Sequence, residues 1–240
     1  DHIDVVLLDV CASNGARGVS EMAVRNKWHG EDVSGVVAAL NQELLPSLKS
    51  VDLGDDAGFA VAIEAGTQSA LARALVDMAR EDILAQSAGV PLQQSMARCV
   101  PDMQFIPAVS SAFSCTITRD SPEAMAKDAE QLCRTVGARA LKIKTGQGYE
   151  IDAAAVAAIR QIAGEDAILS ADSNSAGPPE MVGAMSDMLA GQGVVWFEDP
   201  CRLQADETFT DILNTSHVPV LVDNACRSLP AARSFLVLGA

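Results

Sequence analysis

The chain has 240 residues, 49% of them hydrophobic and 4% aromatic, and a formal net charge of -15. That length can bury a sizeable core in one or two domains, and a composition dominated by alanine, valine and leucine suits helices packed on parallel strands. The charge repels phosphate backbones and anionic lipid, and no apolar run approaches the length of a membrane span, so neither nucleic acid nor a membrane is an expected partner. Six scattered cysteines form no C-x-x-C pair, which argues against a zinc ribbon or a disulfide framework and for reduced thiols in a cytoplasmic protein. No signal peptide is visible. The chain opens at Asp1 next to the apolar run Val5-Val6-Leu7-Leu8, so a leader or first strand is expected to be absent from it.

In chain order, Ile3 to Cys11 reads as a strand, Ser13-Asn14-Gly15 as a turn, and Gly18 to Val24, carrying Glu21, as the hairpin partner. Asp32 and Ser34 offer N-caps for a helix through Val36, Val37, Leu40 and Leu44 that ends at Pro46. A second helix is expected from Thr67 to Ala88, stopped by Gly89-Val90-Pro91. This part is α+β. Trp28-His29 could line a substrate loop but reads more simply as packing. Arg73, Asp77, Arg80 and Glu81 have the spacing of ion pairs along one helix.

From Gln104 onward one unit repeats, a short apolar run followed by an amphipathic helix. The expected strands are Phe105 to Ser110, Ala140 to Thr145, Ala167 to Asp172, Val194 to Glu198 and Val218 to Asp223. The expected helices are Pro122 to Val136, Asp152 to Ala163, Pro179 to Ala190 and Glu207 to Asn214, with another beginning at Leu229. Such alternation implies a parallel sheet built by βαβ crossovers. Strands of this kind are covered on both faces and should be almost wholly apolar, so polar residues at their C-terminal ends stand out. These are Lys142 and Lys144, then Asp172 and Asn174, then Glu198 and Asp199, then Asp223.

Lys144, Asp172, Glu198 and Asp223 follow one another at intervals of 28, 26 and 25 residues, one βα unit each, which returns them to the same end of the sheet. In a parallel barrel that end carries the active site. Three acids gathered in a low-dielectric mouth need a compensating cation, and oxygen donors of this kind suit Mg²⁺. Lys142 and Lys144 share one face of their strand, and two adjacent ammoniums are expected to lower the pKa of one of them toward that of a base.

The ordered set Lys142-Ile143-Lys144, Asp172-Ser173-Asn174, Glu198-Asp199-Pro200 and Val222-Asp223 resembles the enolase superfamily, within it the mandelate racemase and muconate-lactonizing enzymes. Asp at position 223 favours the muconate-lactonizing branch, although Asn224 departs from the usual Asp-Glu-Ser run. The resemblance implies an α/β fold, a (β/α)7β TIM-like barrel, incomplete in this chain, preceded by an α+β capping domain. Residues 1-102 would form the capping domain without its N-terminal part, and 103-240 the first five βα units of the barrel.

By the same resemblance Asp172, Glu198 and Asp223 are Mg²⁺ ligands. Lys144 is the base that removes the proton α to a carboxylate, Lys142 assists and contacts that carboxylate, and Asn174 touches substrate or orders the shell behind the metal. The implied reaction is racemisation, epimerisation or cycloisomerisation of a small carboxylate through an enolate, by a homo-oligomer. A hydroxy-acid dehydratase using the same enolate step is the alternative enzyme, and a non-catalytic barrel used for binding is the alternative of another class. Three further units, carrying the second acid/base residue, are expected beyond Ala240. Two other readings are weaker. Gly146-Gln147-Gly148 could be a phosphate loop, opposed by the acidic rim, and Cys201 or Cys226 could be a nucleophile, with no histidine nearby to activate it.

Overall fold

The structure, a computed structural model, describes residues 3–99 and 113–239. The chain divides into two compact units, Asp1–Pro107 and Ala108–Ala240.

In the first unit β1 (Asp4–Cys11) and β2 (Arg17–Val24) form an antiparallel hairpin in register from Asp4 opposite Val24 to Cys11 opposite Arg17. Gly15 turns it at φ +88°, and Asn14 Oδ1 accepts the Ala16 N–H at 3.0 Å. Val6 and Leu8 point to the core while Val5 and Leu7 face out, as a two-residue period requires. Trp28 and His29 sit in the short helix α1 (Asn26–His29). His29 Nδ1 accepts the Arg25 N–H at 3.1 Å and the Arg25 guanidinium lies 4.6 Å over Trp28, so the pair is spent on local packing.

Asp32 caps α2 (Val33–Ala38) by accepting the Gly35 N–H at 2.8 Å, as its sequence indicates. The helix then widens into a π-turn over Ala39–Leu44 and runs past Pro46 into α3 (Leu45–Ser47). The helix α4 (Asp56–Gly66) was not expected. The helix α5 (Ala70–Ala88) was, but it starts at its cap Ser69 and ends at Gly89, φ +66°. A Cβ at Gly18 would run into the Ala79 carbonyl, so β2 lies directly on α5.

Arg80 is buried and pairs with Glu81 on its own helix and with Asp56 on α4, while its Nε donates to Leu53 O at 2.8 Å. Arg73 likewise pairs with Glu64 of α4, so these arginines tie α5 to α4 rather than forming the expected row of pairs along one helix face. Leu44, Phe59, Leu75 and Val36 centre this core, and α6 (Leu92–Met96) follows.

In the second unit β3 (Ser114–Ile117), β4 (Ala140–Lys144), β5 (Ile168–Asp172), β6 (Val194–Glu198) and β7 (Val220–Leu221) form one parallel sheet in chain order. The expected strand at Phe105 to Ser110 lies outside the described residues. The strand beside β4 is instead Ser114–Ile117, and β7 is shorter than the apolar run Val218 to Asp223 suggested.

The connecting helices are α7 (Pro122–Thr135), α8 (Tyr149–Ala163), α9 (Val182–Gly191), α10 (Glu207–Thr215) and α11 (Leu229–Val237), the segment before α9 being a 3₁₀ turn at Pro179–Met181. Ile117, Leu141, Ile143, Leu169, Ala171 and Phe197 pack against Met125, Val156, Ile159 and Leu189. Among the described residues the sheet runs from β3 at one end to β7 at the other. Among the described residues no helix is long and apolar enough to cross a membrane.

Candidate active site

The pleat of β4 decides which side chains meet. Leu141 and Ile143 are buried against the helices, which turns Lys142 and Lys144 to the opposite face. In register, Lys144 stands opposite Asp172 of β5, and Asp172 opposite Glu198 of β6. Lys144 Nζ donates to Asp172 Oδ2 at 2.5 Å and to Asn174 Oδ1 at 3.0 Å. Lys142 Nζ reaches both Glu198 oxygens at 2.7 Å and Asp172 Oδ2 at 2.9 Å. Asp172 is fully buried and Glu198 is 8% exposed. Two ammoniums and two carboxylates thus form one connected cluster at the C-terminal ends of three adjacent strands.

The electrostatics follow from burial and pairing. Burial disfavours the Lys142 charge, but the hydrogen bonds to Glu198 and Asp172 outweigh it and raise its pKa. The expectation that one ammonium would depress the other is therefore not met at Lys142, because the carboxylates lie closer to it in effect than its neighbour does. Burial also works against an ionised Asp172, yet Lys144 and Lys142 hold it below the usual carboxylate range. For Glu198 burial wins: its pKa is raised, Lys142 offsetting only part of the burial and Asp172 and Asp223 adding repulsion.

Asp223 is not drawn into this cluster. It lies just past β7, exposed, with its N–H donated to Asp199 Oδ1 at 3.0 Å. Among the described residues no three His, Cys, Asp or Glu side chains stand close enough together to hold a metal ion. The donor chemistry nevertheless fits a hard divalent cation. Two carboxylates come from adjacent strand ends and a third follows the next strand, while the positive charge that now neutralises the first two is borne on flexible lysine stems.

Of the residues that hold the site, Ser175 and Asp152 gave no clear sequence signal, and Asp199 and Asn174, noted as polar strand-end residues, gave none of their backbone geometry. Asp199 is buried at φ +40°, and its two carboxylate oxygens accept the N–H groups of Asp223 and Asn224 at 3.0 and 2.9 Å. Asn174 and Ser175 are also left-handed, at φ +45° and +62°. Asp152, at the start of α8, accepts the Gly146 N–H at 2.8 Å and the Gln147 N–H at 3.3 Å. The glycine loop that resembled a phosphate cradle is thus already filled by the protein's own carboxylate. Cys201 is buried in an apolar cluster with Phe209 and Phe235, which pushes its thiol pKa up, and Cys226 is exposed. Burial of that kind marks Cys201 as packing rather than as a nucleophile.

The family model for Enolase C-terminal domain-like proteins matches residues 124–240. The chain is 32% identical over 217 residues to the hydrophobic dipeptide epimerase of Roseobacter litoralis, covering 89% of this chain and 59% of that protein. It is 30% identical over 243 residues to the hydrophobic dipeptide epimerase of Citrifermentans bemidjiense, covering 97% and 63%. It therefore spans about three fifths of the length of these relatives. A crystal structure of a dipeptide epimerase from Enterococcus faecalis, complexed with Mg and the dipeptide L-Leu-L-Tyr, superposes with a TM-score of 0.88 at 22% identity, over 99% of this chain and 64% of that one. At that identity the likeness establishes the fold alone, that of the TIM-like barrel enzymes.

Proposed function

Because the chain belongs to the enolase superfamily, on the branch of the mandelate racemase and muconate-lactonizing enzymes, we propose that its site removes and returns the α-proton of a small carboxylate, a dipeptide with apolar side chains being the substrate class. The observation that carries this reading is the cluster of Lys142, Lys144, Asp172 and Glu198 at adjoining strand ends.

The chain's own residues divide the work. Lys142, its pKa raised by two carboxylates, remains an ammonium and is suited to hold the substrate carboxylate as a fixed positive charge. Lys144, on the same face and two residues nearer the rim, is the base. In its neutral form the amine takes the α-proton, the C–H bond breaks, and its electron pair spreads onto the carboxylate as an enolate. Returning a proton to the opposite face of that carbon inverts it, and returning it to the same face restores it. Asn174, bonded to both Lys144 and Asp172, orients the pair. Asp172, Glu198 and Asp223 would hold a Mg²⁺ ion, which would supply positive charge to stabilise an enolate.

Deuterium exchange tests the proposal. Incubated in D₂O with apolar dipeptides and Mg²⁺, the protein should label one α-carbon, and Lys144→Ala should lower that labelling by at least about 10²-fold. Undiminished labelling in Lys144→Ala would move the base elsewhere. Labelling of N-acylated amino acids with none of any dipeptide would change the substrate class.

A further inference from the structure

We infer that Arg119 is a positioning residue for the proposed proton transfer, a clamp that fixes the strand ends carrying Lys144 and Asp172. The inference rests on the function proposed above for what those two residues do, but not for how they are held.

Arg119 follows β3 by two residues. Its Nε donates to Thr145 O at 2.6 Å and its Nη2 to Ser173 O at 2.6 Å. Thr145 is the residue immediately after Lys144, and Ser173 the residue immediately after Asp172. One planar guanidinium therefore bridges two peptide units on neighbouring strands, at the point where parallel strands end. The preceding peptide unit of each residue is fixed by the sheet, since Thr145 N–H donates to Asp172 O at 2.9 Å and Ser173 N–H to Glu198 O at 3.1 Å. The two side chains also meet, Thr145 Oγ1 lying 2.9 Å from Ser173 Oγ.

The local sequence leaves room for the fork. Gly146 stands at φ +94°, and a Cβ there would lie 2.8 Å from Ala176 Cβ, 3.1 Å from Ser173 O and 3.3 Å from Arg119 Nη2. Gln147 adds a second tie to the same loop, its Nε2 donating to Asp120 O at 3.0 Å. Charge-assisted bonds to two carbonyls hold a geometry that a lysine, a single point charge on a flexible stem, reproduces only in part. Arg119 lies in the bend after β3, and its side-chain bonds go to main-chain carbonyls rather than to Lys142, Lys144, Asp172 or Glu198. It acts on the site through the backbone.

Misplacing a reacting group by about 1 Å costs about 10²-fold in rate, so loosening these ends should be read in turnover. Arg119→Met is expected to lower kcat for α-hydrogen exchange about 10- to 100-fold with KM changed less than about threefold, and Arg119→Lys to recover part of the loss. Amide hydrogen exchange supplies a readout independent of activity. In Arg119→Met the Thr145 and Ser173 amides should lose protection while those of Leu141 and Leu169, deep in the same strands, keep theirs. Unchanged protection at Thr145 and Ser173 overturns the inference, and so does a rate loss carried by KM alone. If the parent protein labels no substrate at all, the proposed function fails, and the two amides still decide whether Arg119 is the clamp. If Arg119→Met does not fold, Arg119→Lys is mapped in its place, and protection at both amides equal to the parent's counts against the clamp.

Discussion

Asp199 shows how a single residue can carry backbone strain and structural work together. A non-glycine side chain at φ +40° costs on the order of 1–3 kcal/mol, and it persists only where its surroundings hold it there. What holds Asp199 is its own carboxylate, which satisfies two main-chain N–H groups, those of Asp223 and Asn224. Asp199→Gly removes the strain and the carboxylate together. Leaving those N–H groups without their acceptor costs about 1–3 kcal/mol each, so the loss should exceed the relief and urea unfolding should show a net destabilisation. A glycine variant as stable as the parent would mean that the carboxylate holds nothing. Neither role was legible in the sequence, where Asp199 is only the second acid of a Glu-Asp-Pro run, because a left-handed φ leaves no compositional trace except at glycine and asparagine. Lys142 and Lys144 were legible, because alternation along a strand assigns faces without further information.

At the scale of elements, the βα repeat was readable because each unit couples a short apolar run to an amphipathic helical stretch. Ser121, Asp206 and Ser228 cap three of these helices by accepting main-chain N–H groups, whereas Gly148 before α8 and Met181 before α9 bring no side-chain cap. The helix α4 was hidden because its small and apolar residues are spread round the helix with no strong period, and its two glycines weaken a composition that its alanines otherwise favour. The π-turn within Ala39–Leu44 could not be seen at all, since its side-chain pattern differs from an α-helix by a single residue of register. β3 lay outside the apolar run that attracted attention, in Ser114-Cys115-Thr116-Ile117, where Ser114 and Thr116 are exposed and Ile117 is buried, so the strand shows no continuous apolar run.

The loop after β4 illustrates how elements fix one another. Gly146 is confined by both its φ and the approach of Ala176, so Gly146→Ala should push the β4 and β5 loops apart. A cost of about 1–3 kcal/mol for the left-handed alanine, with a comparable one for the close contact, is expected in denaturant unfolding, together with a fall in α-hydrogen exchange. A variant with unaltered stability would show that the two loops do not need their present separation.

At the scale of the whole chain the net charge of -15 sets a field that the site must work against. Lys142 and Lys144 attract a substrate carboxylate only at short range, where their own pairing with Asp172 and Glu198 already offsets much of their charge. Beyond that range an anionic substrate meets net repulsion, which falls off over about 30 Å at 0.01 M salt and about 8 Å at 0.15 M. Raising ionic strength across that interval should therefore lower KM for an N-acylated amino acid, which carries a full negative charge. A dipeptide with a free amino group is a zwitterion with no net charge and should show little change. The contrast separates the long-range field from local contacts, because a buried ion pair is screened far less than a distant one. On the proposed function, a site of this charge would be expected to favour dipeptides over their acylated analogues. If KM for the anion instead rises with salt, the attraction of the two lysines extends past the acidic surface, and the preference must come from the shape of the site.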